Sequence, residues 1–218
     1  MEKQNNGNPG IQEWRRRLRF LADIIFATAM TIMILNIEVP DFGHITGTTE
    51  LASFLFRQLN HMWVYIIAFV VIAVYWMKHL EHYSQILVVD QSFIWFQLLF
   101  LASIMLMPFW NSYIGQFPEN IAIRVFLSAN MVIIGLFSYL SLHYAASPKH
   151  RLLHHEVSPE SVRMAKRQIL SEPAVAVLAA GLSFIRPALW DVAFILVPVL
   201  FMARKKLVKI KYFSFRKI

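Results

Sequence analysis

The amino-acid sequence predicts an all-α integral membrane protein with six transmembrane helices, both termini in the cytoplasm. Three observations carry that prediction. Hydrophobic residues make up 57% of the 218 positions and charged residues only 16%, against roughly a quarter charged in water-soluble domains. Six apolar runs approach the ~20 residues that a helix needs to cross ~30 Å of hydrocarbon. Basic residues gather in alternate connections, as topology requires of cytoplasmic segments.

The first run, Phe20 to Val39, follows Arg15, Arg16, Arg17 and Arg19 and ends at Pro40. No small-residue cleavage site follows it, so it is expected to stay as a span. The second is His61 to Met77, the third Ile86 to Pro108 and the fourth Ile121 to Ala146. Ile169 to Ile185 and Ala188 to Ala203, joined by Arg186 and Pro187, form either a pair of spans or a shallower re-entrant hairpin. Thr49 to Leu59 is too short to span and is expected to lie at the interface as a short helix. The chain divides into a basic N-terminal segment 1–19, a membrane domain 20–203 and a basic tail 204–218.

Orientation follows from charge. The loop from Pro148 to Gln168 contains Lys149, Arg151, Arg163, Lys166 and Arg167, and Lys or Arg recurs through the tail. Both belong with the N-terminus on the cytoplasmic side, while 40–60 and 110–120 face outward. The excess of 21 Lys+Arg over 13 Asp+Glu is thus assigned to topology and to anionic lipid headgroups, not to nucleic acid. With no cysteine, disulfides, thiolate metal sites and cysteine nucleophiles are excluded.

Asp23 is the informative residue of the first span. A carboxylate inside hydrocarbon costs at least ~2.5 kcal/mol, so it faces either the helix bundle or the headgroups. Arg16 and Arg19 lie within about 40° of it on a helical wheel, close enough for a local ion pair. Thr28, Ile32 and Leu35 form a stripe about 145° away, with Thr31 on its flank. That stripe faces either lipid or an axis shared with other copies of the chain.

Two other chemistries are written in the side chains. His150, His154 and His155, with His79 and His82 on the same side, have the spacing of a membrane di-iron oxidase or desaturase. Only six of the eight His fall on the cytoplasmic side, His143 being the sixth. Asp23, Asp90, Glu172 and Asp191 lie in or near spans, as in an ion-coupled transporter, but no inverted repeat accompanies them.

The first helix carries Arg17-Leu-Arg-Phe-Leu21-Ala22-Asp23, then an apolar run with Thr28 and Thr31, then Glu38-Val-Pro40. The second span ends in Tyr75-Trp76-Met-Lys-His79 and the third in Leu106-Met-Pro108-Phe109. Over roughly the first 115 residues these motifs resemble bacterial members of the transmembrane protein 175 family of potassium channels. Leu21 and Ala22 replace that family's Phe and Ser, and Gln97 stands where Asn is usual. The resemblance implies a homotetramer in a bacterial inner membrane, its pore lined by the first helix and lacking a carbonyl filter loop. Thr28, Ile32 and Leu35 would form the constrictions and Thr31 a polar contact. Arg17, Asp23, Trp76 and His79 would hold the pore helix in place. The implied activity is a potassium-preferring monovalent cation channel closed by hydrophobic constriction; it is not an enzyme, and K⁺ is a permeant ion rather than a cofactor. Thr28 occupies a layer that is usually Ile or Leu, so the inner ring is expected to be wetter.

Overall fold

The structure, a computed structural model, describes residues 9–36, 47–117 and 119–193. Helix α1 spans Pro9–Ile32 and tightens into a 3₁₀ turn at Met33–Asn36; α2 is Thr48–Tyr83, α3 Gln91–Gln116, α4 Ile121–Ala145 and α5 Pro159–Ser183. Residues 187–193 are helical again. The remaining part of the expected sixth span, 194–203, and the tail 204–218 lie outside the described residues.

The helix starts are written locally. The Asp90 carboxylate accepts the Phe93 N–H, the Asn120 side chain the Ile123 N–H, and the Ser158 hydroxyl oxygen the Ser161 N–H. Each satisfies an amide that the first helical turn leaves unpaired. Pro159 at the head of α5 suits a position whose N–H would be unpaired in any case.

Three sequence boundaries are corrected. The short interfacial helix expected at 49–59 and the span expected at 61–77 are one continuous helix, because nothing between Thr48 and Tyr83 breaks the backbone ladder. Arg57, Gln58 and Asn60 lower hydropathy there, but all are adequate helix formers. The third helix starts at Gln91 instead of Ile86, since residues 86–90 are extended and Ile86 bridges Leu153. It also continues through Pro108 to Gln116, at the cost of one hydrogen bond to the preceding turn. The fifth helix starts at Pro159, ten residues before the expected Ile169, and accommodates Pro173 in its interior.

α3 and α4 contain stretches long and apolar enough to cross a membrane on length and composition. α1 packs against α2 and α3, α3 against α4, and α4 against α5. The buried centre joins Phe26, Ala29 and Met33 of α1 to Phe100, Leu101 and Ile104 of α3, and these to Leu127, Met131 and Ile134 of α4. Small side chains set the close approaches. A Cβ on Gly135 of α4 would overlap the Cγ of Pro173 on α5, so only glycine lets this pair of helices meet, a device common where packing drives helix association.

Candidate functional site

α1 has two unlike faces. Leu18, Ala22, Phe26, Ala29 and Met33 are buried and recur at the three- and four-residue spacing of a single helical face. Phe20, Leu21, Ile24, Thr31 and Ile32 are exposed, and Thr28 is half-buried. Among the described residues nothing covers Ile24, which remains 62% exposed. On this inward face Phe26 meets the ring of Phe100 across the α1–α3 contact at 6.1 Å, and Ala22 and Ala29 are buried in the same cluster.

Thr31 Oγ1 donates to the carbonyls of Ala27 at 2.9 Å and Thr28 at 3.0 Å. Its proton is thereby occupied, and a hydroxyl oxygen so engaged keeps acceptor capacity. Ile32 lies beside it at the last turn of α1, before the 3₁₀ segment. The side chain of Leu35 lies outside the described residues.

The opposite side of the helix is tied to α2. Trp76 Nε1 donates to Asp23 Oδ1 at 3.0 Å. His79, one turn along α2, is buried as an aromatic plate: its ring stacks on Phe100 at 5.4 Å and meets Phe26 at 5.7 Å and Tyr83 at 5.5 Å. The structure therefore brings Asp23, Trp76 and His79 to one side of α1. It does not bring Arg17 there. Arg17 and Arg16 both bind Glu13, at 2.8 and 2.7 Å, and the Arg17 and Arg16 guanidiniums hold the Glu13 carboxyl below its ordinary range. The ion pair expected between Asp23 and the arginines below it is thus replaced by the indole bond, since Glu13 stands three and four residues from Arg16 and Arg17, the spacing at which helical side chains meet.

Arg15, which the motif reading passes over, is the anchoring member of the basic run. Its guanidinium donates to the Ile86 carbonyl at 2.7 Å, and Tyr83 Oη donates to the Arg15 carbonyl at 2.7 Å. The same connection is stitched to the α4–α5 loop, with Leu87 N–H donating to Leu152 at 2.8 Å and His154 N–H to Gln85 at 3.0 Å. Nothing in a run of four arginines distinguishes the one that binds backbone carbonyls.

The other candidate residues are engaged structurally. Glu172 forms a buried ion pair with Lys78. Arg124, buried on α4, contacts Asp191 at 3.0 Å. Asp90, besides capping α3, accepts the Tyr144 hydroxyl at 2.8 Å. Gln97 donates to Ser141 Oγ at 2.7 Å, linking α3 to α4. His150 stacks on Tyr144 at 3.9 Å, and among the described residues no three His, Asp or Glu side chains converge to hold a metal.

Two helices long and apolar enough to cross a bilayer, a buried ion pair and an apolar face on α1 that the described residues leave uncovered are the features of a helical membrane protein. Over its first half the chain is similar to the TMEM175 family. Residues 17–108 match the model of the family described as endosomal/lysosomal potassium channel TMEM175. A potassium channel of Chamaesiphon minutus is 27% identical over 173 residues, 78% of this chain and 84% of that one. A potassium channel of a Chryseobacterium species is 30% identical over 106 residues, 48% of this chain and 52% of that one. Neither relative is named as an enzyme. The fold matches the crystal structure of a lysosomal potassium-selective channel TMEM175 homolog from Chamaesiphon minutus, with a TM-score of 0.75 at 22% identity over 88% of this chain and 98% of that one. A variant of the potassium channel MtTMEM175, in complex with a nanobody fusion protein, matches at a TM-score of 0.60 and 14% identity over 94% of this chain and 96% of that one. The fold likeness thus extends past residue 108, where the family model ends.

Proposed function

We propose that this chain is one subunit of a potassium-preferring monovalent cation channel, a homotetramer in which four copies of α1 surround the ion path. The observation that carries the reading is the two-faced α1: one face is packed into the subunit, and the other, apolar with threonine hydroxyls, is left uncovered by the described residues. The matches to channels named for potassium support it. Copies of one chain meeting around an axis would cover that face and keep its hydroxyl oxygens wet.

In this reading Thr28, Thr31, Ile32 and Leu35 face the path. A ring of Ile32, with Leu35 by its register on the helix, closes the pore when it is narrow enough to expel water, and a small rotation or dilation of α1 opens it. K⁺ releases water more readily than Na⁺, so a constriction that demands partial dehydration favours K⁺ to a moderate degree. Thr31 supplies an oxygen where water is lost, and Thr28 makes the cytoplasmic ring wetter than an Ile or Leu would. Asp23, Trp76 and His79 position α1 and do not meet the ion, and Arg17, on the same side of the wheel as Thr28, holds its place by the pair with Glu13. Six spans put both termini in the cytoplasm of a bacterial cell, the chain sitting in the inner membrane with its basic loops against anionic headgroups.

The test is flux through purified protein in liposomes under opposing K⁺ and Na⁺ gradients. Single-channel currents reversing toward the K⁺ potential are expected. Saturable transport below about a thousand ions per second would assign a carrier mechanism instead, and stoichiometric iron in the purified protein would assign a metalloenzyme.

A further inference from the structure

At the end of α4 and the start of α5 stands a cationic group without an acidic partner among the described residues. Lys166 Nζ lies 3.1 Å from His143 Nδ1 and 5.8 Å from the centre of the Tyr139 ring, and Tyr139 and His143 stack on each other at 5.8 Å. Among the described residues Lys166 makes no ion pair. An ammonium has three protons, and the imidazole takes one of them, so the others are available to an anion. The arrangement is exposed, and the chain as a whole has a formal net charge of +8.

What lies beneath the ammonium is apolar and open. α4 approaches this end and α5 leaves it, so positions before His143 and after Lys166 lead in the same direction, away from the basic loop. Leu136 is two turns before His143, and Leu170 and Val177 are one and three turns after Lys166; all three are exposed, Val177 by 59%. At 1.5 Å per residue they fall about 6 to 17 Å deeper than the charged cluster, which is the reach of an acyl chain below its phosphate. α4 and α5 are held in close contact there by Gly135 against Pro173, so the track is a fixed shallow surface and not a gap.

We propose that Lys166, His143 and Tyr139 bind the phosphate of an anionic phospholipid whose acyl chain lies along Leu136, Leu170 and Val177. The cation meets the phosphate, the imidazole orients the ammonium, and the tyrosine ring shields one side of it, a combination suited to the headgroup level of a membrane. The negative charge of the cytoplasmic leaflet supplies such lipids on the side where the basic loops lie. The inference rests on the membrane orientation proposed above and adds a lipid site to it. Because α5 also carries Glu172, whose partner Lys78 belongs to the same helix as Trp76, an occupied site would stiffen the helix that positions α1.

The experiment is native mass spectrometry of the full chain in detergent, with phosphatidylglycerol or phosphatidylcholine of the same acyl chains added. Retention of phosphatidylglycerol over phosphatidylcholine is expected, and Lys166→Gln should reduce it about fivefold, the factor that one basic side chain contributes at an anionic surface. Lys166→Arg should preserve retention, and Lys149→Gln, on the loop beyond the track, should leave it unchanged. Equal retention of the two lipids, or undiminished retention in Lys166→Gln, overturns the proposal. Displacement by millimolar inorganic phosphate or glycerol phosphate also overturns it, since that result assigns a soluble anion. Flux in liposomes of neutral lipid alone separates the two readings: K⁺ current without selective lipid retention leaves the channel standing and removes the lipid site, and the converse result removes the channel.

Discussion

The bond from Trp76 to Asp23 gives the sharpest test of how α1 is held. Trp76→Phe keeps an aromatic ring on α2 and removes only the donor at 3.0 Å from Asp23 Oδ1. A hydrogen bond to a charged acceptor contributes about 1.5–3 kcal/mol in soluble proteins, whereas interhelical hydrogen bonds in a membrane protein average about 0.6 and reach about 1.7 kcal/mol. Asp23 is only half-buried, so water replaces part of what is lost, and the membrane range is the relevant one. Trp76→Phe should therefore cost about 1–1.5 kcal/mol of subunit stability, within the range for single interhelical bonds. Asp23→Asn retains an acceptor oxygen but gives up the charge, and should cost roughly half as much, since neutral bonds are about half as strong. The double variant should fall short of the sum, because the two substitutions remove one shared interaction. The assay is thermal unfolding in detergent monitored by size-exclusion chromatography, run beside reversal-potential measurements in liposomes. Additive losses would show that the indole and carboxylate act independently. A shifted reversal potential in Asp23→Asn with an intact oligomer would place Asp23 in the permeation path and refute the supporting role.

Three further outcomes are expected. Ile32→Asn, and separately Leu35→Asn, should raise basal conductance by keeping the constriction wet, and unchanged single-channel current in both would end the assignment of the gate. Gly135→Ala should destabilise the α4–α5 contact by about 1–3 kcal/mol, the usual cost of overpacking, because its Cβ would collide with the Pro173 ring; adding Pro173→Ala should recover stability, and a failure to recover would locate the strain elsewhere. Lys78→Met should cost about 3–5 kcal/mol by stranding Glu172, while Lys78→Met with Glu172→Leu should recover most of it, both read as melting temperatures in detergent.

The elements that read most directly from sequence are those whose hydropathy has one meaning. α4 matches its expected span within a residue, because it is apolar enough along its length to outweigh its few polar residues and Asn120 marks its start. Hydropathy splits α2 because Arg57, Gln58 and Asn60 interrupt the apolar run, yet hydropathy reports the environment of side chains and a helix is broken by backbone chemistry. It starts α3 too early for the complementary reason: Leu87, Val88 and Val89 are as apolar as the helix but β-branched in part, and the Asp90 cap ends the extended stretch. At the site, the motif with Asp23 and the one with Trp76 can be placed because each sits at a fixed helical register. Which arginine meets which acceptor is not legible, since Arg15, Arg16, Arg17 and Arg19 share one composition and differ only in the direction they leave the helix. Long-range partners such as Lys78 with Glu172 and Arg124 with Asp191 depend on which helices become neighbours, information that no local pattern contains.

The stitch at Arg15 bears on how the chain is made. α1 is anchored through the Ile86 and Leu87 carbonyls, and that segment is itself paired with Leu152 and His154. A ribosome synthesises the first helix long before residue 152, so the helix enters the membrane without its final fastening and is secured only when the fourth helix has been inserted. Truncated chains ending before this loop would therefore keep the Asp23–Trp76 and Arg15–Tyr83 bonds but lack the pairing with Leu152 and His154 that fixes the segment to which Arg15 is fastened.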